Sequence, residues 1–147
     1  MPISNLAGKE LAERLQAALP NVVEEWDDTA VWVKPDHMAQ IAHFLTVEPT
    51  LDFDFLNSIS AIDFIEYFEV VYHLTSLQQQ HCAVIKTKIY GRDEVSLPSV
   101  YSIWRGADFQ EREIWDLMGV RFEGHPNMKR IMLWEGFEGH PLRKDFL

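Results

Sequence analysis

Three carboxylates crowd one short stretch, Glu111-Arg112-Glu113-Ile114-Trp115-Asp116-Leu117-Met118. Closely spaced carboxylates are the usual equipment for general acid–base work. Glu113 and Asp116 are three apart and share a helical face, while Arg112 and Asp116 are four apart and spaced to pair. No nucleophile, phosphate-cradling loop or metal-ligand set accompanies them. The structural account is therefore the simpler one. Asp108 and Glu111 have capping-box spacing, with Asp in place of Ser or Thr. Arg112 then bridges to Asp116, Ile114, Leu117 and Met118 face the core, and Trp115 marks a contact surface.

The second chemical feature is a duplication. Phe122-Glu123-Gly124-His125-Pro126 returns as Phe137-Glu138-Gly139-His140-Pro141. Glycine permits a turn or a close backbone approach, and proline holds the preceding histidine extended. Bases follow each copy: Lys129 and Arg130, then Arg143 and Lys144. One reading is a tail lying along another protein, its His and Arg groups meeting carboxylates and carbonyl oxygens. The other is a terminal segment packed on its own domain. The residues alone leave both open.

Metal binding is the weaker reading of the histidines. His125 and His140 are fifteen residues apart, Cys82 has no second cysteine, and His73 and His81 merely flank a turn. A zinc site wants four ligands, commonly in close pairs. Glycine-rich dinucleotide and phosphate-loop motifs are absent from the sequence, as is any cysteine cluster for an iron–sulfur centre.

The elements that must position these residues are legible from periodicity. Residues 5–18 predict a helix capped by Ser4 or Asn5 and ended by Pro20. Two short strands follow within 21–34, turning at Asp27-Asp28. A second helix, 36–46, starts from Asp36. Phe53 to Ile65 predicts a strand with an irregularity near Asn57-Ser58. Alternation from Phe68 to Thr75 and from Ala83 to Tyr90, across a polar turn at 76–80, predicts an antiparallel hairpin with one buried face. A short helix is expected from Ser99 to about Arg105. The clearest helix is 108–118, with Gly119 as its left-handed cap. The sum is an α+β fold, a mostly antiparallel sheet with helices on one face. Residues 1–119 form that domain, and 120–147 are expected to be an extended C-terminal tail.

Composition narrows the classes. A chain of 147 residues with 47% hydrophobic content is large enough for a real core. The formal charge is −10, and all of it falls in residues 1–70. That body repels nucleic acid. No apolar run reaches the length needed to span a bilayer, and the N-terminus lacks a secretory pattern, so a cytoplasmic compartment is expected.

Taken in order, Glu111 to Val120, then Phe122, His125-Pro126, Lys129-Arg130-Ile131 and the ending Gly139-His140-Pro141-Leu142-Arg143-Lys144-Asp145-Phe146 resemble the signature of the 30 kDa-type (C-type) subunit of NADH:quinone oxidoreductase, respiratory complex I. Met118 stands where that family often has Phe, and Lys129 where it often has Arg. The resemblance implies a peripheral-arm subunit without a redox centre of its own, on the cytoplasmic side of the inner membrane. Its partners would be the quinone-site (49 kDa-type, or D-type) subunit and iron–sulfur subunits, with FMN, iron–sulfur clusters and quinone held by those partners. Membrane contact would come only through the complex. Related subunits serve ferredoxin-dependent complexes and membrane-bound hydrogenases. Carried over by position, the expected interface residues are Glu111, Arg112, Glu113 and Asp116 on the helix. In the tail they are His125, Arg130, His140, Arg143, Lys144 and Asp145. With its end just past this stretch, the chain is expected to be the unfused form.

Overall fold

The computed structural model describes residues 3–134 and 137–146. In chain order the elements are β1 (Ser4–Asn5), α1 (Gly8–Ala18), β2 (Val23–Trp26), β3 (Ala30–Val33), a 3₁₀ turn (Pro35–His37) running into α2 (Met38–Val47), β4 (Phe55–Asp63), β5 (Tyr67–Ser76), β6 (His81–Tyr90), β7 (Ser96–Pro98), α3 (Ala107–Met118) and β8 (Arg121–Glu123).

The alternating hairpin is the centre of the sheet. β5 and β6 pair antiparallel from Tyr67↔Tyr90 to Ser76↔His81. One face of this ladder, carrying Phe68, Val70, Tyr72, Leu74, Ala83 and Ile85, is wholly buried. Each large side chain hidden there contributes about 1.5–3 kcal/mol. The sheet order is β2-β3-β6-β5-β4. Side chains from α1, α2 and α3 join one continuous core on that face. The architecture is therefore α+β, with helices on one side. The longest ladders are antiparallel, but β3 and β1 both run parallel to β6, making the sheet mixed. The irregularity expected near Asn57 is real: the β4–β5 register shifts between Leu56 and Ser58.

Three local expectations need correction. The first helix starts at Gly8, not residue 5, and Ala7 precedes it without a side-chain cap. Ser4 and Asn5 are drawn into the sheet instead, where Ser4 N–H and Leu6 N–H donate to the carbonyls of Gln80 and Cys82. A Cβ at Gly8 would overlap the carbonyl oxygens of Asp27 and Ala30, so glycine lets the helix start lie against the β2–β3 turn. Asp36 does not cap the second helix; it sits inside the 3₁₀ turn. The helix expected from Ser99 to Arg105 is only a turn at Val100, whose carbonyl accepts from both Ile103 and Trp104 N–H. Trp104 is buried there, its indole N–H donating to the Phe53 carbonyl at 2.9 Å.

Residues 120–147 do not run as an extended arm over the part the structure describes. β8 pairs parallel with β7, and the chain then turns back across α3 toward the β4–β5 hairpin. Among the described residues no helix is long and apolar enough to cross a membrane.

Candidate interface site

Helix α3 positions the site. It ends on Gly119 in the left-handed conformation, as the sequence pattern anticipates. A Cβ on Gly119 would sit 2.8 Å from His140 Cδ2, so the same glycine admits the returning tail.

The two copies of the duplicated pentapeptide clasp opposite ends of this helix. His125 has a fully buried side chain. Its Nδ1 accepts the Asn127 N–H at 2.9 Å, which places the ring proton on Nε2. That nitrogen faces the Asp108 carbonyl at 3.2 Å, with Asp108 Oδ1 at 3.1 Å but not aligned as a hydrogen bond. His140 serves the other end. Its Nδ1 donates to the Asp116 carbonyl at 2.9 Å, and its ring lies 4.8 Å from Trp115. Gly124 and Gly139 both have positive φ, so the two copies turn alike.

Asp116 is the hub between them and has no exposure to solvent. One carboxylate oxygen accepts from Arg130 Nη1 at 2.7 Å. The other accepts three backbone N–H groups, from Ile131 at 3.1 Å, Met132 at 2.7 Å and Leu133 at 2.9 Å. Burial opposes ionisation, but Arg130 and the three N–H groups outweigh it and hold the pKa below the usual carboxylate value. Both Arg130 Nη groups bond within the chain, Nη2 donating to the carbonyls of Phe137 and Gly139.

The expected local pairings within α3 do not form. Arg112 does not bridge to Asp116; it donates to the carbonyls of Lys129 and Arg130 at 3.0 and 3.1 Å. Glu111 does not complete a capping box. It is fully buried and reaches back to the preceding segment, accepting from Ser99 Oγ at 2.6 Å and Val100 N–H at 2.9 Å. Burial raises its pKa to about 7, against those two hydrogen bonds, with the Asp108 charge adding to the rise. Long-range partners win in both cases, because a buried carboxylate gains more from fixed N–H and O–H donors than from a neighbour one turn away. Glu113 alone of the helix acids remains exposed.

A second clasp holds the tail's end, and sequence reasoning did not single out its two key residues. Asp63, at the end of β4, takes Arg92 in a two-pronged pair at 2.6 and 2.7 Å. The Arg92 guanidinium holds the Asp63 carboxyl well below the usual carboxylate range; burial opposes this, and N–H groups of Lys144 and Ile65 assist. Lys144 N–H donates to Asp63 Oδ2 at 2.7 Å, and Asp145 lies 3.0 Å from Arg92. Arg143 donates to the Arg92 carbonyl and sits over the Phe68 ring. Nothing local in the sequence links Arg92 to tail residues fifty positions away.

The geometry is thus a set of internal clasps. Eight expected interface groups, Glu111, Arg112, Asp116, His125, Arg130, His140, Arg143 and Asp145, have side chains engaged inside the chain. Beside exposed charges such as Lys129, Glu138 and Lys144, the folded tail presents large apolar side chains outward: Met132 is 62% exposed and Trp134 68%. Among the described residues no group of three or more His, Cys, Asp or Glu is arranged to hold a metal ion. An open cleft of about 500 Å³ between the β6–β7 link and the tail is lined by charges of both signs, including Asp93, Glu94, Arg121 and Arg143. Its Ser96 hydroxyl is taken up by Glu123.

Comparison with known proteins places this arrangement. The second C-type subunit of NADH-quinone oxidoreductase from Rhizobium meliloti (strain 1021) is 44% identical over 117 residues, covering 78% of this chain and 63% of that protein. The C-type subunit of the same enzyme from Roseiflexus sp. (strain RS-1) is 42% identical, covering 90% of this chain and 80% of the relative. The mitochondrial NADH-ubiquinone oxidoreductase 30.4 kDa subunit of Neurospora crassa is 39% identical over 90% of this chain, which spans about half (48%) of it. A solved chain from the membrane-bound sulfane sulfur reductase, an archaeal respiratory membrane complex, superimposes with a TM-score of 0.75 at 26% identity, covering 95% of this chain and 85% of that one. The family described as respiratory-chain NADH dehydrogenase, 30 Kd subunit, matches residues 31–147. That match takes in β4 to β6, α2, α3 and the tail together, and the chain belongs to this family, whose bacterial relatives are named as the C-type subunit of NADH-quinone oxidoreductase.

Proposed function

We propose that the chain is a structural subunit in the peripheral arm of a proton-translocating NADH:quinone oxidoreductase, on the cytoplasmic side of the membrane. There it steadies the quinone-site (49 kDa-type) subunit and iron–sulfur subunits. FMN, iron–sulfur clusters and quinone belong to those partners in this reading. The observation that carries it is the family match over residues 31–147. The geometry refines how the protein would dock. The charged groups build the tail's shape, and the Asp116 cradle holds the loop that presents Met132 and Trp134. Exposed aromatic and methionine side chains on a rigid loop are the usual anchors of a protein interface. Of the charged residues first expected to touch the partner, the buried ones act one step behind it, while Glu113, Lys144 and Asp145 stay exposed.

Deletion of the gene is expected to abolish NADH-driven quinone reduction in isolated membranes, and re-expression to restore it. Unchanged activity in the deletion strain overturns the proposal. A second reading, with which the likeness to the archaeal sulfane sulfur reductase chain is equally consistent, is the equivalent subunit of a ferredoxin-dependent or hydrogenase-type membrane complex. Loss of ferredoxin-linked rather than NADH-linked activity would decide for it.

A further inference from the structure

The chain reverses between β4 and β5 at Ile65-Glu66. Phe64 N–H donates to the Tyr67 carbonyl and Glu66 N–H to the Phe64 carbonyl, both at 2.9 Å. This tight turn holds Ile65 at a φ of +74°. Glycine reaches that region freely, and hairpin turns with positive φ at the first connecting residue ordinarily carry glycine there. A β-branched side chain in that region is a steric outlier. Among the described residues the other non-glycine positions with positive φ are Asn21, Asp52, Gln80 and Glu94, all of them polar.

The isoleucine gains little from its own chain, being 62% exposed. Its strained backbone is nevertheless gripped from both sides. Ile65 N–H donates to Asp63 Oδ1 at 2.7 Å, and its carbonyl accepts from Arg92 Nη1 at 2.9 Å. These grips belong to the same Asp63–Arg92 pair on which the tail closes through Lys144 and Asp145. Strained conformations persist where the surrounding structure over-determines them, and they gather at clamps and contact sites. Beside the tip, Tyr67 and Tyr90 pair across β5 and β6 on the sheet face opposite the helices, their ring centroids 5.3 Å apart. Phe64 joins them at 5.2 Å from Tyr67. Phe64 and Tyr90 are exposed.

We propose that Ile65 is a docking knob, held outward by the Asp63–Arg92 pair so that its side chain enters an apolar pocket on a neighbouring protein subunit, with Phe64, Tyr67 and Tyr90 forming the rim of the contact. This rests on the reading of the chain as a subunit of a larger complex, and it adds a second anchor to Met132 and Trp134. The charges around the tip select a protein over a bilayer. Glu66 is exposed beside the knob, and the chain's net charge is −10. The cations at hand, Lys88 and Arg92, are already held by Glu25 and Asp63. An anionic lipid surface is therefore repelled. A rigid isoleucine ringed by aromatic side chains, in contrast, loses little freedom on entering a preformed pocket.

Ile65→Gly tests this because it relieves the backbone and removes the knob at once, so stability and docking should move in opposite directions. The purified full chain carrying it should melt about 2–4 °C higher, glycine's extra freedom in the unfolded chain offsetting part of the gain. In affinity purification of the tagged chain from gently extracted membranes, the same variant should retain about tenfold less of the oxidoreductase subunits. Ile65→Val keeps an apolar knob and should retain them as the parent does. A lower melting point for Ile65→Gly would show that the isoleucine serves the fold, and overturns the proposal. Equal retention by Ile65→Gly and the parent overturns it while the proposed function stands; a parent chain that brings down no oxidoreductase subunit overturns both. Self-association of the parent, or its binding to phosphatidylglycerol vesicles, abolished by Ile65→Gly would make a second copy or a lipid surface the occupant and overturns it too.

Discussion

Replacing Asp116 by asparagine removes one charge at nearly constant volume and strikes the hub of the tail. The native carboxylate is fully buried and accepts four hydrogen bonds, from Arg130 and the N–H groups of Ile131, Met132 and Leu133. Asparagine keeps one acceptor oxygen. Its NH₂ must face either the guanidinium or the three N–H groups, donor against donor. A hydrogen bond to a charged group contributes about 1.5–3 kcal/mol, and breaking a buried ion pair from one side costs about 3–5 kcal/mol. These terms overlap and the loop can open to water, so about 3–5 kcal/mol is the expected loss for the tail as a unit. Total stabilities are about 5–15 kcal/mol, so the sheet should survive. Amide hydrogen exchange on the full chain reads this directly. The amides of Ile131, Met132 and Leu133 should exchange about 100-fold faster or more, while those of β5 and β6 change little. Protection of the three amides within about threefold of the parent would refute the reasoning. The same hub predicts a pH dependence. The folded pKa of Asp116 lies below its usual 3.8. The clasp is therefore fully stabilising above that value and is lost as pH falls through the lower, folded pKa.

Glu111 carries the opposite sign. Its pKa is raised from 4.5 to about 7 by burial, so stability should fall as pH rises between those values, by about 3 kcal/mol at most. Glu111→Gln keeps an acceptor for Val100 N–H and should flatten the slope between pH 5 and pH 8 in urea titrations; identical slopes for both proteins would contradict it. Gly119→Ala forces a side chain into the left-handed region and against His140, 2.8 Å away. A melting point lower by about 2–8 °C is expected in a thermal scan. Trp134→Ala should leave stability within about 0.5 kcal/mol because the residue is 68% exposed. It should weaken partner binding by about 2 kcal/mol, roughly 30-fold, in a titration of the chain into its partner subunits.

Local signals were legible and long-range ones were not. Alternation located β5 and β6, and the glycine after Met118 marked the end of α3, because each depends on neighbouring residues. The break at Asn57 showed for the same reason. The parallel passage of β3 along β6 did not, since it depends on strands fifty positions apart. Ser4 and Asn5 read as a helix cap by type, but sheet hydrogen bonds to the chain near Cys82 claimed that segment. The same contrast governs the site. Spacing suggested Arg112 with Asp116, one turn apart, whereas the fold offered Asp116 three backbone N–H groups and Arg130. The duplicated pentapeptide was visible as a duplication. Its two targets at the ends of one helix became visible only in three dimensions.

The central claim is that this chain is a member of a quinone-reducing complex, held by a loop whose shape comes from internal charge pairs. Affinity purification of the tagged chain after gentle extraction, with mass spectrometry of what accompanies it, tests this most directly. The account predicts that quinone-site and iron–sulfur subunits of NADH:quinone oxidoreductase come with the parent chain and are depleted with Trp134→Ala. Recovery of the folded chain without any oxidoreductase subunit would contradict it.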